Sequence, residues 1–215
     1  MAQLPSFIIE ETFATSPETM YNLWTSPDHL QHWFGPLGAK VAYNRMELKK
    51  EGDYLVCLTN PDGSEHWGKW HFLDIIPNKK LIWLHSFSDK EGGLTRHPFH
   101  AEWPLQLLTE VDFETSGNGS KVRVSWTPYE APENEVNAFA AALPSMNQGW
   151  GGTFHQLGNI SVLYRLANFF AFFVLKFPVQ SCFLLLALLR LKNNWANFQS
   201  IKYAGFNRLW AIALS

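Results

Sequence analysis

The sequence predicts an α+β fold in which an antiparallel sheet buries its apolar face against a long C-terminal helix, with an apolar helical C-terminal extension beyond it. Three observations predict this. Short runs of alternating apolar and polar residues recur between turn signals from Phe7 to Trp126. Two proline-led helix starts interrupt those runs only near the beginning, and one stretch with apolar residues three and four apart follows them. A sheet with one apolar face needs a cover, and that last helix is the long amphipathic segment placed to supply it.

Taken in order, Phe7, Ile9, Glu11 and Phe13 alternate with Ile8, Glu10 and Thr12 and read as a strand. Ser16-Pro17-Glu18 then gives an N-cap with proline in the first turn, for a helix over 17–24. Ser26-Pro27-Asp28 repeats the signal for a second short helix, which Gly35-Pro36 stops. Strands are expected over 39–48, 53–59, 66–76, 80–88, 105–115 and 121–127, with turns at Pro61-Asp62-Gly63 and Gly117-Asn118-Gly119. The closing helix carries Phe139, Leu143, Met146, Trp150, Thr153 or Phe154, and Leu157 on one stripe, and Pro144 is expected to break or kink it near its start. The small residues of Gly149-Trp150-Gly151-Gly152 are expected to let this helix approach the sheet closely.

With 47% hydrophobic and 17% charged residues in 215, the chain can bury enough apolar surface to fold, which excludes global disorder. A net charge of -2 and the lack of any Lys- and Arg-rich run argue against nucleic acid as a partner. Cys57 and Cys182 make neither a disulfide framework nor a zinc site, and the polar start lacks a signal-peptide layout, so a cytoplasmic location is expected. No repeat of 20–50 residues is visible in the sequence. All 19 acidic residues fall within 1–135, and the character changes sharply after Gly158. The chain is therefore divided into a domain over 1–160 and an extension over 161–215.

Several stretches in collinear order carry a resemblance. They are Ser26-Pro27-Asp28-His29-Leu30 with Trp33-Phe34-Gly35-Pro36, Trp67-Gly68-Lys69-Trp70, Phe87-Ser88-Asp89 with Gly92-Gly93, Thr95-Arg96-His97-Pro98, Trp103-Pro104-Leu105, and Ser145 to Thr153. With the order of elements they resemble the START/Bet v 1-like superfamily, also called SRPBCC, and within it the homologues of the activator of heat-shock protein 90 ATPase. The resemblance implies a helix-grip fold, in which a curved antiparallel sheet wraps the long C-terminal helix around a hydrophobic cavity. It departs at Phe154-His155-Gln156-Leu157, where members usually carry an acid and an aliphatic pair, and it does not cover the extension.

Strand parity nominates the ligand-binding lining of such a cavity: Glu11, Tyr54, Val56, Leu58, Trp83, His85, Leu107, Thr109, Val111 and Trp126 from the sheet, with Met146, Trp150 and Phe154 from the helix. The same residues also read as plain core. Glu11 is either a ligand's polar contact or a solvent-facing residue at a strand end, and His85 is either a donor or base toward a ligand or a satisfied core histidine. Arg96 and His97, in the long connection from Ser88 to Pro104, suit an anionic group at a cavity mouth, unless Arg96 pairs with Asp89 or Glu102. No cofactor and no metal are expected: His29 with His32 and His97 with His100 lack the spacing of a metal motif, and no GxSxG, P-loop or GxGxxG is present in the sequence.

The function expected is a domain that holds a small hydrophobic or amphipathic ligand. The resemblance implies two alternatives, a co-chaperone-like activator of a chaperone ATPase and a polyketide cyclase-like enzyme. In the extension, Leu166 to Leu175 and Val179 to Leu189 flank Lys176-Phe177-Pro178. Each stretch reaches roughly 16 Å, short of a roughly 30 Å hydrocarbon core, so neither spans alone; membrane contact through 166–189 would take either one span with Lys176 and Pro178 near its middle or a helical hairpin bent at Pro178. Packing on the domain or on a partner, and a frameshift-like extension with no function, remain open beside it.

Overall fold

Alternation of apolar and polar residues builds strands that each bury one face, and hairpins bring consecutive strands side by side. The computed structural model describes residues 4–176 of the chain, with side chains to Leu166. The elements are β1 (Phe7–Phe13), α1 (Pro17–Thr25), α2 (Pro27–Leu30), β2 (Lys40–Met46), β3 (Asp53–Thr59), β4 (Glu65–Ile76), β5 (Lys80–Ser88), β6 (Leu94–Thr95), β7 (Leu107–Ser116), β8 (Gly119–Pro128) and α3 (Glu133–Lys176). The sheet order is β1-β8-β7-β5-β4-β3-β2, every described pairing is antiparallel, and β6 pairs with β5 beyond the end of β7. Register shifts between Val41 and Tyr43 and between Phe72 and Asp74 add curvature where the sheet bends around the helix.

Ser16 caps α1 through its hydroxyl, which accepts from the Thr19 N–H at 3.2 Å, with proline following it in the first turn. This helix buries Met20, Tyr21, Leu23 and Trp24 against the sheet. The Trp33 indole N–H donates to the Leu23 carbonyl at 3.0 Å and so fastens the segment after α2 to α1. Two of the glycines illustrate the need for close approach or for an unusual backbone conformation. A Cβ on Gly119 would lie 2.1 Å from the Phe13 carbonyl oxygen, and Gly35 has φ of +111° with Leu58 packed on it.

Helix α3 carries the expected stripe, since Phe139, Trp150, Phe154 and Leu157 are buried while Leu143 and Met146 pack partly buried on the core. Two expectations are corrected. Pro144 does not break the helix, which starts at Glu133 and continues past the exposed proline. Nor do the glycines serve close approach. A Cβ at Gly149, Gly151 or Gly152 would meet nothing within 4 Å, and only Trp150 of that run reaches deep into the core.

The chain divides into two compact units, Met1–Arg165 and Leu166–Ser215, and the whole sheet belongs to the first. No helix among the described residues is long and apolar enough to cross a membrane. The expectation of membrane contact through 166–189 concerns, from residue 177 onward, positions outside the described residues.

Since open space surrounds Gly151, replacing it by Ala removes backbone freedom from the unfolded chain at no steric cost. Gly151→Ala is expected to raise unfolding stability by about 0.5–1 kcal/mol in denaturant titration. A loss of stability would restore the close-approach explanation.

Candidate functional site

Two transverse rows of side chains run across the gripped face of the sheet. In the first, cross-strand pairing places Phe72 beside Trp83, Trp83 beside Thr109, Thr109 beside Trp126, and Trp126 beside Phe7. In the second, Tyr54 pairs with Trp70, Trp70 with His85, and His85 with Leu107. The rows touch, because the Trp70 and Trp83 rings stack at 4.5 Å. Residues two apart on a strand share a face, so strand parity alone places these side chains together.

Helix α3 covers the rows with Trp150. Its ring lies 5.3 Å from Trp126, 6.2 Å from Trp24 in a near-parallel stack, 5.5 Å from Phe154 and 6.5 Å from Phe7. Of the nominated residues, Tyr54, Val56, Trp83, Leu107, Thr109, Trp150 and Phe154 are buried in this interior. Leu58, Trp126 and Met146 are partly buried and pack against the same core.

This interior is aromatic, yet it holds polar atoms without partners. Trp24 Nε1, Trp83 Nε1, Trp126 Nε1, Tyr54 Oη, Thr109 Oγ1 and His85 Nδ1 are out of solvent and have no hydrogen-bond partner among the described residues. Trp24, Tyr54 and Thr109 are 0% exposed and Trp83 is 2% exposed. Each such group costs free energy, so a cluster of them calls for a reason. Burial pushes the Tyr54 hydroxyl pKa well up and the His85 imidazole down from 6.5 to about 4, keeping both neutral. Beside His85 a slot of about 10 Å³, bordered by Phe87, Trp103 and Leu107, is near the size of one water molecule.

Glu11 and the loop residues lie elsewhere. Glu11 is exposed and does not join the interior; it lines an open groove of about 500 Å³ between β1 and α3, with Ile9, Phe13, Gly151, Phe154 and His155. Arg96 pairs with Glu135 of α3 and donates to the Trp103 carbonyl at 3.3 Å, so its partner is neither Asp89 nor Glu102. Asp89 instead accepts from the Glu91 and Gly93 N–H groups. The His97 ring packs on Phe87 at 4.6 Å, and its Nδ1 accepts from the Phe99 N–H. Among the described residues no group of three or more His, Cys, Asp or Glu is placed to hold a metal ion.

Four contributors are not among the residues nominated for the lining. Trp24 stacks on Trp150 from α1, and only a spacing shared with Met20 and Tyr21 hinted that it faces the core. Buried Glu135 anchors the long loop by pairing with Arg96 and accepting from the Leu105 N–H at 3.3 Å, a partnership across 39 residues that no local pattern shows. Thr153 and Gln156 both donate to the Gly35 carbonyl, at 3.2 and 3.0 Å, and thereby join two of the quoted sequence motifs.

The family model described as Activator of Hsp90 ATPase homolog 1-like protein matches residues 14–161. Solved structures share the fold. A protein from Nitrosomonas europaea superposes with a TM-score of 0.60 at 18% identity, over 77% of this chain and 99% of that one. One from Arthrobacter aurescens gives 0.59 at 23% identity, over 73% and 86%. The AHSA1 protein from Silicibacter pomeroyi gives 0.57 at 14% identity, over 74% and 99%. A comparison with curated proteins returns no match.

The depressed His85 sets a pH dependence. Between pH 6.5 and about 4 an unfolded histidine takes up a proton that the folded His85 refuses, so stability declines as pH falls through that window. His29, His32 and His97, lowered mainly by burial, act in the same direction. An NMR titration of the imidazole carbons should find His85 neutral at pH 5, and His85→Gln should flatten the decline. A His85 midpoint near 6.5 would contradict an imidazole whose Nδ1 is out of solvent and unpartnered.

Proposed function

Because the chain belongs to the Activator of Hsp90 ATPase homolog 1-like family and has the START/Bet v 1-like fold of that superfamily, we propose that it holds a small hydrophobic or amphipathic ligand between the sheet and α3. The observation that carries this reading is the set of unpartnered polar atoms on an otherwise apolar, gripped surface. A core built only for stability gains nothing from three indole N–H groups, a phenol and a threonine hydroxyl left without partners. A surface built to recognise a ligand uses a few such groups among aromatic rings to fix orientation.

Catalysis is the weaker reading. His85, the nominated base, is neutral across the physiological range and has neither an acid nor a second base in hydrogen-bond contact among the described residues. A chaperone ATPase partner comes only with the family's description, whereas the unpartnered groups lie inside the domain rather than on a surface open to a protein. Glu11 and His155 line the groove beside the interior and, in this reading, flank the side by which a ligand enters.

The test is equilibrium titration of the full chain with Nile red, a neutral apolar dye. Binding at micromolar concentration, saturating near one dye per chain, with energy transfer from the interior tryptophans and a raised Tm, is the expected result. Binding that never saturates, or saturates without altering tryptophan emission, would overturn the interior site.

A further inference from the structure

The unpartnered groups differ in what they can exchange with a ligand, and the difference constrains its chemistry. An indole Nε1–H only donates, while Tyr54 Oη and Thr109 Oγ1 can donate or accept. Trp24, Trp83 and Trp126 therefore present three obligatory donors, and none of the unpartnered groups is an obligatory acceptor if His85 carries its proton on Nδ1. None of the side chains in the two rows is acidic, lysine or arginine, and Arg96 is engaged by Glu135. A ligand with a full charge would have no counter-charge there.

The place such a ligand would take is marked by Trp150. Two of the three indole donors border its ring, Trp24 at 6.2 Å and Trp126 at 5.3 Å, and Thr109 stands beside Trp126 in the row. The turn of α3 that carries Trp150 also contains Gly149, Gly151 and Gly152, none of which is needed for packing. Glycine weakens a helix interior, so this turn gives way more readily than the rest of α3. We propose that Trp150 is a removable cover, and that the ligand, resting on the binding function argued above, is a neutral, flat, apolar molecule bearing an oxygen acceptor. Its face replaces the Trp150 ring against Trp24 and Trp126, and its oxygen accepts from the donors that Trp150 leaves unsatisfied.

Three naphthalene probes of similar size separate these claims: naphthalene, 2-acetylnaphthalene and 2-naphthoate, titrated into the full chain and its variants while the indole N–H resonances are followed by NMR. The expected result is that 2-acetylnaphthalene binds about tenfold more tightly than naphthalene, as one net hydrogen bond gives, and also more tightly than the anion, with the Trp126 N–H moving downfield. Trp126→Phe, which keeps a smaller ring and removes the donor, should weaken 2-acetylnaphthalene more than naphthalene and so abolish the preference. Trp150→Ala should bind both neutral probes at least tenfold more tightly, because the cover is gone. Equal binding of the two neutral probes, or tighter binding of naphthoate, would overturn the acceptor inference while the binding site stood. An unchanged affinity in a folded Trp150→Ala chain would overturn the cover. Failure of every probe to bind in any folded variant would overturn both this inference and the binding function.

Discussion

An open antiparallel sheet with one apolar face needs a second layer to keep water from it, and here one long helix is a main part of that layer. Helix α3 covers the face along a single stripe from Phe139 to Leu157, aided by α1 and the segment around Trp33. The stability of the sheet, the burial of its polar atoms and access to its interior all depend on how firmly that stripe is seated. Seating is uneven along its length. Near its start Glu135 is tied to Arg96 and Leu105, and farther on Thr153 and Gln156 hold the Gly35 carbonyl. Between these anchors lie Pro144 and the three glycines around Trp150.

That unevenness joins packing to function. Aromatic rings in offset or edge contact supply much of the burial energy, and the run Trp33, Trp24, Trp150, Trp126 passes from the α2 segment through α1 and α3 to β8. Trp150 is the member of that run flanked by glycine on both sides. Donors that remain unsatisfied while Trp150 is seated oppose its seating, so the closed interior sits nearer to an open one than its apolar contacts alone would suggest. In the proposed binding role, a ligand that satisfies those donors needs only a modest differential affinity to shift the population.

Much of the sheet was legible because strand parity has a fixed period of two. Trp83, Thr109 and Trp126 share a face by counting alone, and the antiparallel register brings them together. The helix stripe was legible for the same reason at its own period. Glu11 defeated parity: it stands on the inward side of β1, but β1 is an edge strand, and the groove beside Gly151 leaves its carboxylate in water. The Arg96 partner was illegible because Glu135 lies on another element, and sequence proximity favoured Asp89, whose carboxylate is used by its own turn. The start of α3 at Glu133 was missed because its first turn is polar and the apolar stripe begins only at Phe139.

The central claim is that the turn bearing Trp150 opens while the sheet stays folded. Native-state hydrogen exchange of the full chain, followed amide by amide under low denaturant, tests it most directly. The account predicts that the amides of Gly151 to Phe154 exchange through a local opening of much lower free energy than those of Trp83 and Thr109, which should exchange only with global unfolding. Exchange of both sets at one common free energy would contradict it.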